Sequence, residues 1–129
     1  MDKLKISSAQ FEHRSGYKDY NLSVIDKLSQ KASDEGSDII AFHECSITGY
    51  TFARDLSKEQ MLDVAEFIPN GNSISTLTEI ARKNNIVVLA GLFEKDENDR
   101  LFNTYVGIDK NGLVAKHRKN SPRQAATDT

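Results

Sequence analysis

Apolar and polar positions along the chain predict alternating strands and helices. Segment 4–10 alternates apolar with small or polar residues, which predicts a first strand. From Asn21 the apolar residues recur at three- and four-residue steps, which predicts a helix that Gly36 ends as a left-handed cap. The apolar run 37–42 predicts a strand covered on both faces. This order favours a right-handed crossover and a parallel pair, so an α/β active site is expected after the second strand, at residues 43–44.

The rest of the chain continues this pattern. Segment 57–60 has capping-box spacing for a short helix, and Ser73 is predicted to cap a further one with a single apolar face. Residues 110–112 predict a hairpin turn, because Asn and Gly both tolerate a positive φ. Further strands are predicted at 86–93, 101–108 and 114–119. The fold class is therefore α/β.

Length and charge narrow the function classes. The 129 residues allow one domain at most, and the net charge of −2 argues against an electrostatically driven nucleic-acid binder or a polybasic membrane anchor. The longest apolar run, 86–93, is too short for a membrane span, and the charged amino terminus does not resemble a signal peptide. The single cysteine, Cys45, excludes an intramolecular disulfide and a multi-thiolate zinc site. We expect a cytoplasmic protein.

Three segments have candidate chemistry: 42–50, 91–94 and 116–119. Glu44 follows a predicted buried strand, where a glutamate is a solvated loop residue, a helix-capping acceptor or a catalytic group. Glu94 is predicted to be a buried or turn carboxylate that fixes loops. The basic cluster 116–119 is either a solvated edge that discourages strand addition or part of a site.

Taken together, these segments resemble the N-terminal half of the carbon-nitrogen hydrolase, or nitrilase, superfamily. The resemblance runs in order through Gln10, the strand-glutamate-loop segment 39–50, Gly91-Leu-Phe-Glu94, Phe102-Asn103-Thr104 and Lys116-His-Arg-Lys119. It implies the family's four-layer α-β-β-α sandwich, of which the chain would supply the first part. We therefore expect a partial family domain at 1–119 and a polar, disordered or non-family tail at 120–129.

The resemblance also implies a Glu-Lys-Cys triad that acts on an amide, nitrile or carbamoyl carbon. Glu44 matches the general base, and Lys119 matches the lysine that stabilises the oxyanion. The family's nucleophilic cysteine lies downstream of the lysine, and that cysteine is absent from this chain, so the chain is expected to be inactive alone. Cys45 is not a substitute, because neighbours in an extended chain point to opposite faces; we interpret it as a small buried residue.

The remaining candidates are weaker. His43 could touch substrate but more often such a residue packs or hydrogen-bonds the loop, while His13 and His117 are too scattered to form a metal site with Glu44. The family resembled needs no metal or other cofactor, takes small-molecule substrates and is expected to form homo-oligomers, with no nucleic-acid or membrane partner. An alternative is a non-catalytic fragment that associates with a full-length homologue through exposed sheet edges. A third hypothesis, nucleic-acid binding by the basic hairpin, lacks interleaved aromatic residues.

Overall fold

The computed structural model describes residues 3–49 and 56–120, with the backbone alone described at 119 and 120. Over these residues the elements follow in the order β1 (Ile6–Ala9), α1 (Lys18–Asp34), β2 (Ile39–Phe42), α2 (Lys58–Val64), α3 (Asn72–Asn84), β3 (Val87–Lys95), β4 (Leu101–Asp109) and β5 (Gly112–Asn120). The predicted tail at 120–129 lies outside the described residues, except for the backbone of residue 120 at the end of β5.

The strands form one sheet in the order β1-β2-β3-β4-β5. Strands β1, β2 and β3 are parallel, while β4 and β5 return antiparallel. The predicted parallel pair and the α/β class are confirmed. Within the described residues β1 and β5 are the edge strands.

One face of the sheet is covered by the two long helices, α1 and α3. The core between them contains Ile25 from α1, Leu77 from α3 and Val88 from β3, all with no exposed surface. On the opposite face the alternate residues of β2 and β3 are only half-buried; these are Ile39, Ala41, Val87 and Leu89. The two long helices and the sheet therefore form two layers, and α2 adds a separate buried cluster in which its Met61 packs with Phe93 of β3 and Cys45. No helix in the described ranges is long and apolar enough to cross a membrane.

Helix ends confirm one predicted cap and correct another. Gly36, with a φ of 87°, donates to Ser33 O, and Ser37 N donates to Ala32 O, which is the paired bonding of a Schellman cap at the end of α1. At α3 the N-cap is Gly71, not Ser73. Ser73 lies inside the first turn, because its amide and hydroxyl both donate to the Glu66 carboxylate.

The predicted hairpin between β4 and β5 is confirmed, although one reason given for it is wrong. Gly112 has a φ of 119°, but Asn111 is not among the described residues with a positive φ. The Asn111 amide instead donates to the Asp109 carboxylate, so a side-chain acceptor stabilises the turn.

Candidate active site

The turn after β2 continues the hydrogen bonding of the sheet. Strand β2 ends at Phe42, so beyond that point the neighbouring edge of β3 needs other partners. The buried hydroxyls of Ser46 and Thr48 accept from the amides of Gly91 and Phe93, at 3.2 and 3.3 Å. Gly91 O accepts from Ile47 N at 3.0 Å. The turn is therefore bound directly to β3, and it holds Glu44 at the carboxyl end of β2.

Close packing at Gly91 fixes the position of this turn. A Cβ at residue 91 would lie 2.4 Å from Cys45 N and 3.2 Å from Glu44 Cα. These are backbone atoms, which cannot move aside as a flexible side chain can. Only glycine lets the backbone of 44–45 approach the sheet here.

Cys45 is a buried packing residue. It has no exposed surface, and its thiol donates to Asn103 Oδ1 at a Sγ–Oδ1 distance of 3.1 Å. The predicted burial is confirmed, but the extended backbone used to argue for it is not present. Cys45 has a φ of 54° in a turn, and its thiol bonds Asn103 on β4.

Glu44 is exposed, in contrast to the buried residues that follow it in the turn. A neighbouring group is Tyr105 on β4, whose hydroxyl donates to Phe42 O at 2.6 Å. Burial, and next the negative charge of Glu44, raises the pKa of Tyr105. The Tyr105 hydroxyl therefore stays protonated beside the carboxylate at neutral pH.

Position 119 lies on β5, directly across from Asn103 of β4. Asn103 in turn pairs with Phe93 of β3 and contacts Cys45, the residue after Glu44. The strand register thus brings the backbone of Lys119 and the Glu44 turn to two sides of the same residue, Asn103.

Glu94 is the buried carboxylate that the sequence indicates. Its side chain is 1% exposed and accepts from Thr104 Oγ1, Lys116 Nζ and both Nε and a terminal nitrogen of Arg118, all at 2.8–2.9 Å. Burial raises the pKa of Glu94, but the hydrogen bonds from Arg118, Lys116 and Thr104 outweigh it and leave the pKa below its ordinary value. Two of the four residues in the basic cluster therefore bind a buried partner and are not merely a solvated edge.

The three histidines are divided between two places. His43 packs on His13 of the β1–α1 loop, with its Nε2 3.2 Å from His13 Nδ1. His117 lies exposed on β5. In the part of the chain that the structure describes, no group of three or more His, Cys, Asp or Glu side chains is arranged to hold a metal ion.

Two residues of this region were not singled out as site residues from the sequence. Tyr105 lies mid-strand, and only the register, which pairs it with Gly91 and His117, places it near the Glu44 turn. Asn21 resembles an ordinary helix residue, yet it is fully buried and its amide donates to Ile47 O at 2.7 Å. The sequence feature that could have identified Asn21 is its place as a polar residue on the apolar face of a predicted helix.

Comparison with known proteins identifies the family. The family model described as carbon-nitrogen hydrolase matches residues 5–128. A nitrilase of Pyrococcus abyssi is 31% identical over 116 residues, covering 90% of this chain and 43% of the relative. An omega-amidase of Xenopus tropicalis is 31% identical over 120 residues, covering 92% of this chain and 41% of the relative.

Solved structures share the fold. An N-terminal amidase superimposes with a TM-score of 0.74 at 23% identity, covering 90% of this chain and 27% of its own. An amidase from Nesterenkonia sp. gives a TM-score of 0.72 at 22% identity, covering 95% of this chain and 46% of its own. A variant of that amidase shows Michael addition of acrylamide at the active-site cysteine.

The chain thus spans about two-fifths of the length of the curated relatives it matches, 43% and 41% for the two above. The family match covers nearly every residue, and the helix-covered sheet is the fold of the amidases. This chain belongs to the carbon-nitrogen hydrolase family.

Proposed function

We propose that this chain contributes the general base and the oxyanion-stabilising cation of a hydrolase that cleaves amide, nitrile or N-carbamoyl C–N bonds. The base is Glu44 and the cation is Lys119. The observation that carries the proposal is the register at Asn103, which pairs with position 119 and contacts the turn that holds Glu44. The exposure of Glu44 at the carboxyl end of β2 supports it, because a base must reach its substrate.

The chemistry follows from the two groups and a cysteine thiol. For an amide, the Glu44 carboxylate takes the thiol proton, and the sulfur attacks the carbonyl carbon while the ammonium of Lys119 stabilises the negative oxygen. The C–N bond then breaks, the leaving amine or ammonia takes a proton from Glu44, and a thioester remains. Water, deprotonated by Glu44, attacks the thioester and regenerates the thiol. A positioned base of this kind contributes on the order of 10²–10⁴-fold.

We propose that the nucleophilic cysteine belongs to a part of the family domain that this chain does not cover. Cys45 is the one cysteine of the sequence, and it is buried with its thiol bonded to Asn103. The share of the relatives that is matched, 43% and 41%, supports the proposal, as does the acrylamide-modified cysteine of the related amidase. On this proposal the 129-residue chain is inactive alone.

The first test is turnover. The purified chain is incubated with simple amides, nitriles and N-carbamoyl amines, and ammonia release is measured. We expect none above a reagent blank. Turnover that Cys45→Ala abolishes would overturn the assignment of Cys45 as a packing residue.

The second test addresses Glu44 and Lys119 without turnover. A lysine ammonium near Glu44 favours the ionised carboxylate, so Lys119→Gln is expected to raise the pKa of Glu44. Carbon-detected NMR titration of the glutamate side chains measures it. The matched control is Lys110→Gln, which removes the same charge at the far end of the β4–β5 hairpin. Equal pKa values of Glu44 in the two variants would contradict the pairing of Glu44 with Lys119.

A second candidate function is association with a full-length homologue. It is favoured by the edge strands, since Ile6 on β1 is 60% exposed and Val114 on β5 is 59% exposed. Sedimentation of the chain mixed with a purified omega-amidase tests this function. Complex formation that Ile6→Lys or Val114→Lys weakens, but Tyr17→Lys at the start of α1 does not, would support it. Two components that sediment independently would exclude it.

Substrate class, assembly and location are also proposals. The names of the matched relatives, nitrilase and omega-amidase, support a small amide or nitrile substrate. We further propose a homo-oligomeric intact family member and a cytoplasmic location. Cys45 forms no disulfide, which is compatible with a reducing compartment.

A further inference from the structure

We propose that His13 and His43 form a proton-sensitive clasp that positions the turn carrying Glu44. The clasp is the pair of imidazole rings, one from the β1–α1 loop and one from the residue directly before Glu44. Its significance for catalysis rests on the proposed role of Glu44, whereas its existence does not.

The two rings are held in a defined geometry. His13 Nδ1 and His43 Nε2 are 3.2 Å apart, and the rings stack with centroids 5.4 Å apart and planes inclined by 29°. Phe11 packs edge-on against His43 at a centroid distance of 5.2 Å. His43 therefore packs against two rings from the β1–α1 loop.

His13 contacts the chain on both sides of Glu44. Besides His43, its ring packs against Gly49, where a Cβ would lie 2.9 Å from His13 Cδ2 and where φ is 95°. Residues 43 and 49 lie at the two ends of the turn, so the His13 side chain contacts both ends. Asn21 ties the same two loops together, since its amide donates to both Arg14 O and Ile47 O.

The bond between the rings depends on their protonation. One of the two facing nitrogens must carry a hydrogen and the other must accept it, which neutral imidazoles allow. When both rings are protonated, two N–H donors and two positive charges face each other. His43 Nδ1 is buried with no hydrogen-bond partner in the described structure, so an added N–H there finds no acceptor. Acid therefore opens the clasp.

The pKa of His43 is consistent with a clasp that opens in acid. Burial, and next the charge of His13, lowers the pKa of His43 below its ordinary value. The titratable groups nearest in the chain are Glu44 and Cys45 after His43, and Glu12 and Arg14 on either side of His13. On β4, the Tyr105 hydroxyl donates to the carbonyl of Phe42, the residue before His43. Because the open turn binds protons more readily than the clasped one, the clasp contributes fully above a pH of about 6.5 and weakens as the pH falls below it.

Amide hydrogen exchange at the turn tests the clasp in the 129-residue chain. Ile47 N and Gly49 N donate within the turn region, to Gly91 O and Cys45 O. We expect their protection, corrected for intrinsic exchange, to fall about fivefold between pH 7.5 and pH 5.5, the loss of roughly one hydrogen bond. Protection at Val106 in the core should stay unchanged. Equal protection of the turn at both pH values would overturn the proposal.

Variants separate the clasp from a structural role of the rings. His13→Gln should give low protection of the turn at both pH values. His13→Phe should restore high protection at pH 7.5 and make the fall in acid smaller, because it keeps the ring packing and removes one of the two titrating rings while His43 still protonates. The matched control, His117→Gln, removes a histidine from β5 and should behave as the unmodified chain. A pH response lost in His117→Gln, or as large in His13→Phe as in the unmodified chain, would contradict the clasp. Glu44→Gln should retain the pH response whether or not Glu44 is a catalytic base, so the two proposals fail separately.

Discussion

Glu44 and Glu94 occur in similar sequence contexts, and the fold uses them in opposite ways. Each follows a stretch of apolar residues in or after a strand. Glu44 lies exposed in a turn held by neutral hydrogen bonds, which the hydroxyls of Ser46 and Thr48 accept from amides of β3. Glu94 is 1% exposed and bound by two cations and a hydroxyl.

This difference shows how burial separates a reactive carboxylate from a structural one. A buried carboxylate must be satisfied by charged partners, and those partners then leave it little freedom to exchange protons. Glu94 thereby joins β3 to Lys116 and Arg118 on β5, the strand that contains position 119. The Glu44 turn is fixed by its backbone and by the hydroxyls of Ser46 and Thr48, and the Glu44 carboxylate stays exposed.

The largest expected effect is at Glu94. Glu94→Ala should destabilise the fold by about 3 kcal/mol, the low end for breaking a buried pair, because Lys116 and Arg118 can partly turn to solvent. Urea unfolding at pH 7 measures it. The matched control, Glu97→Gln in the exposed β3–β4 turn, should change stability by less than about 0.5 kcal/mol.

The contribution of Glu94 to stability depends on pH. Because the pKa of Glu94 is lowered on folding, its contribution is present above the ordinary glutamate pKa of about 4.3 and is lost as the pH falls through the lowered value. The stability difference between the unmodified chain and Glu94→Ala should therefore narrow in acid. A difference that is constant down to pH 3 would mean that packing, and not charge, dominates at this residue.

A smaller effect is expected at Gly91. Gly91→Ala places a methyl group 2.4 Å from Cys45 N, so either the turn or β3 must shift, at a cost of about 2 kcal/mol. Amide chemical shifts of 44–49 should change with it. Gly107→Ala on β4 is the control, because its added methyl meets the movable Leu89 side chain at 3.1 Å. Equal costs for both substitutions would show that the Glu44 turn is not held by close packing at Gly91.

The smallest effect is expected at Cys45. Cys45→Ala removes a buried sulfur and its bond to Asn103, which should cost about 1 kcal/mol in urea unfolding. The native thiol should also react with iodoacetamide much more slowly than the unfolded one, because it has no exposed surface. Rapid alkylation of the folded chain would assign Cys45 to a reactive site instead.

The sequence by itself determined the order of elements, their types and the parallel first pair. Apolar periodicity, the Gly36 cap and the capping box at Ser57 are local features, so they can be recognised from the sequence alone. The resemblance of segments 39–50, 91–94 and 116–119 also identified the family correctly. The roles of Glu44 and Lys119 remain predictions.

Only the tertiary structure decided which residues meet. That Asn103 contacts Cys45 and pairs with position 119 depends on register between strands far apart in sequence. The Ser73 cap was predicted wrongly, because Glu66 takes the Ser73 amide and hydroxyl. The His13–His43 pair joins residues 30 positions apart. Local preference fixes the backbone of each element, but long-range packing decides which polar groups are buried and must find each other.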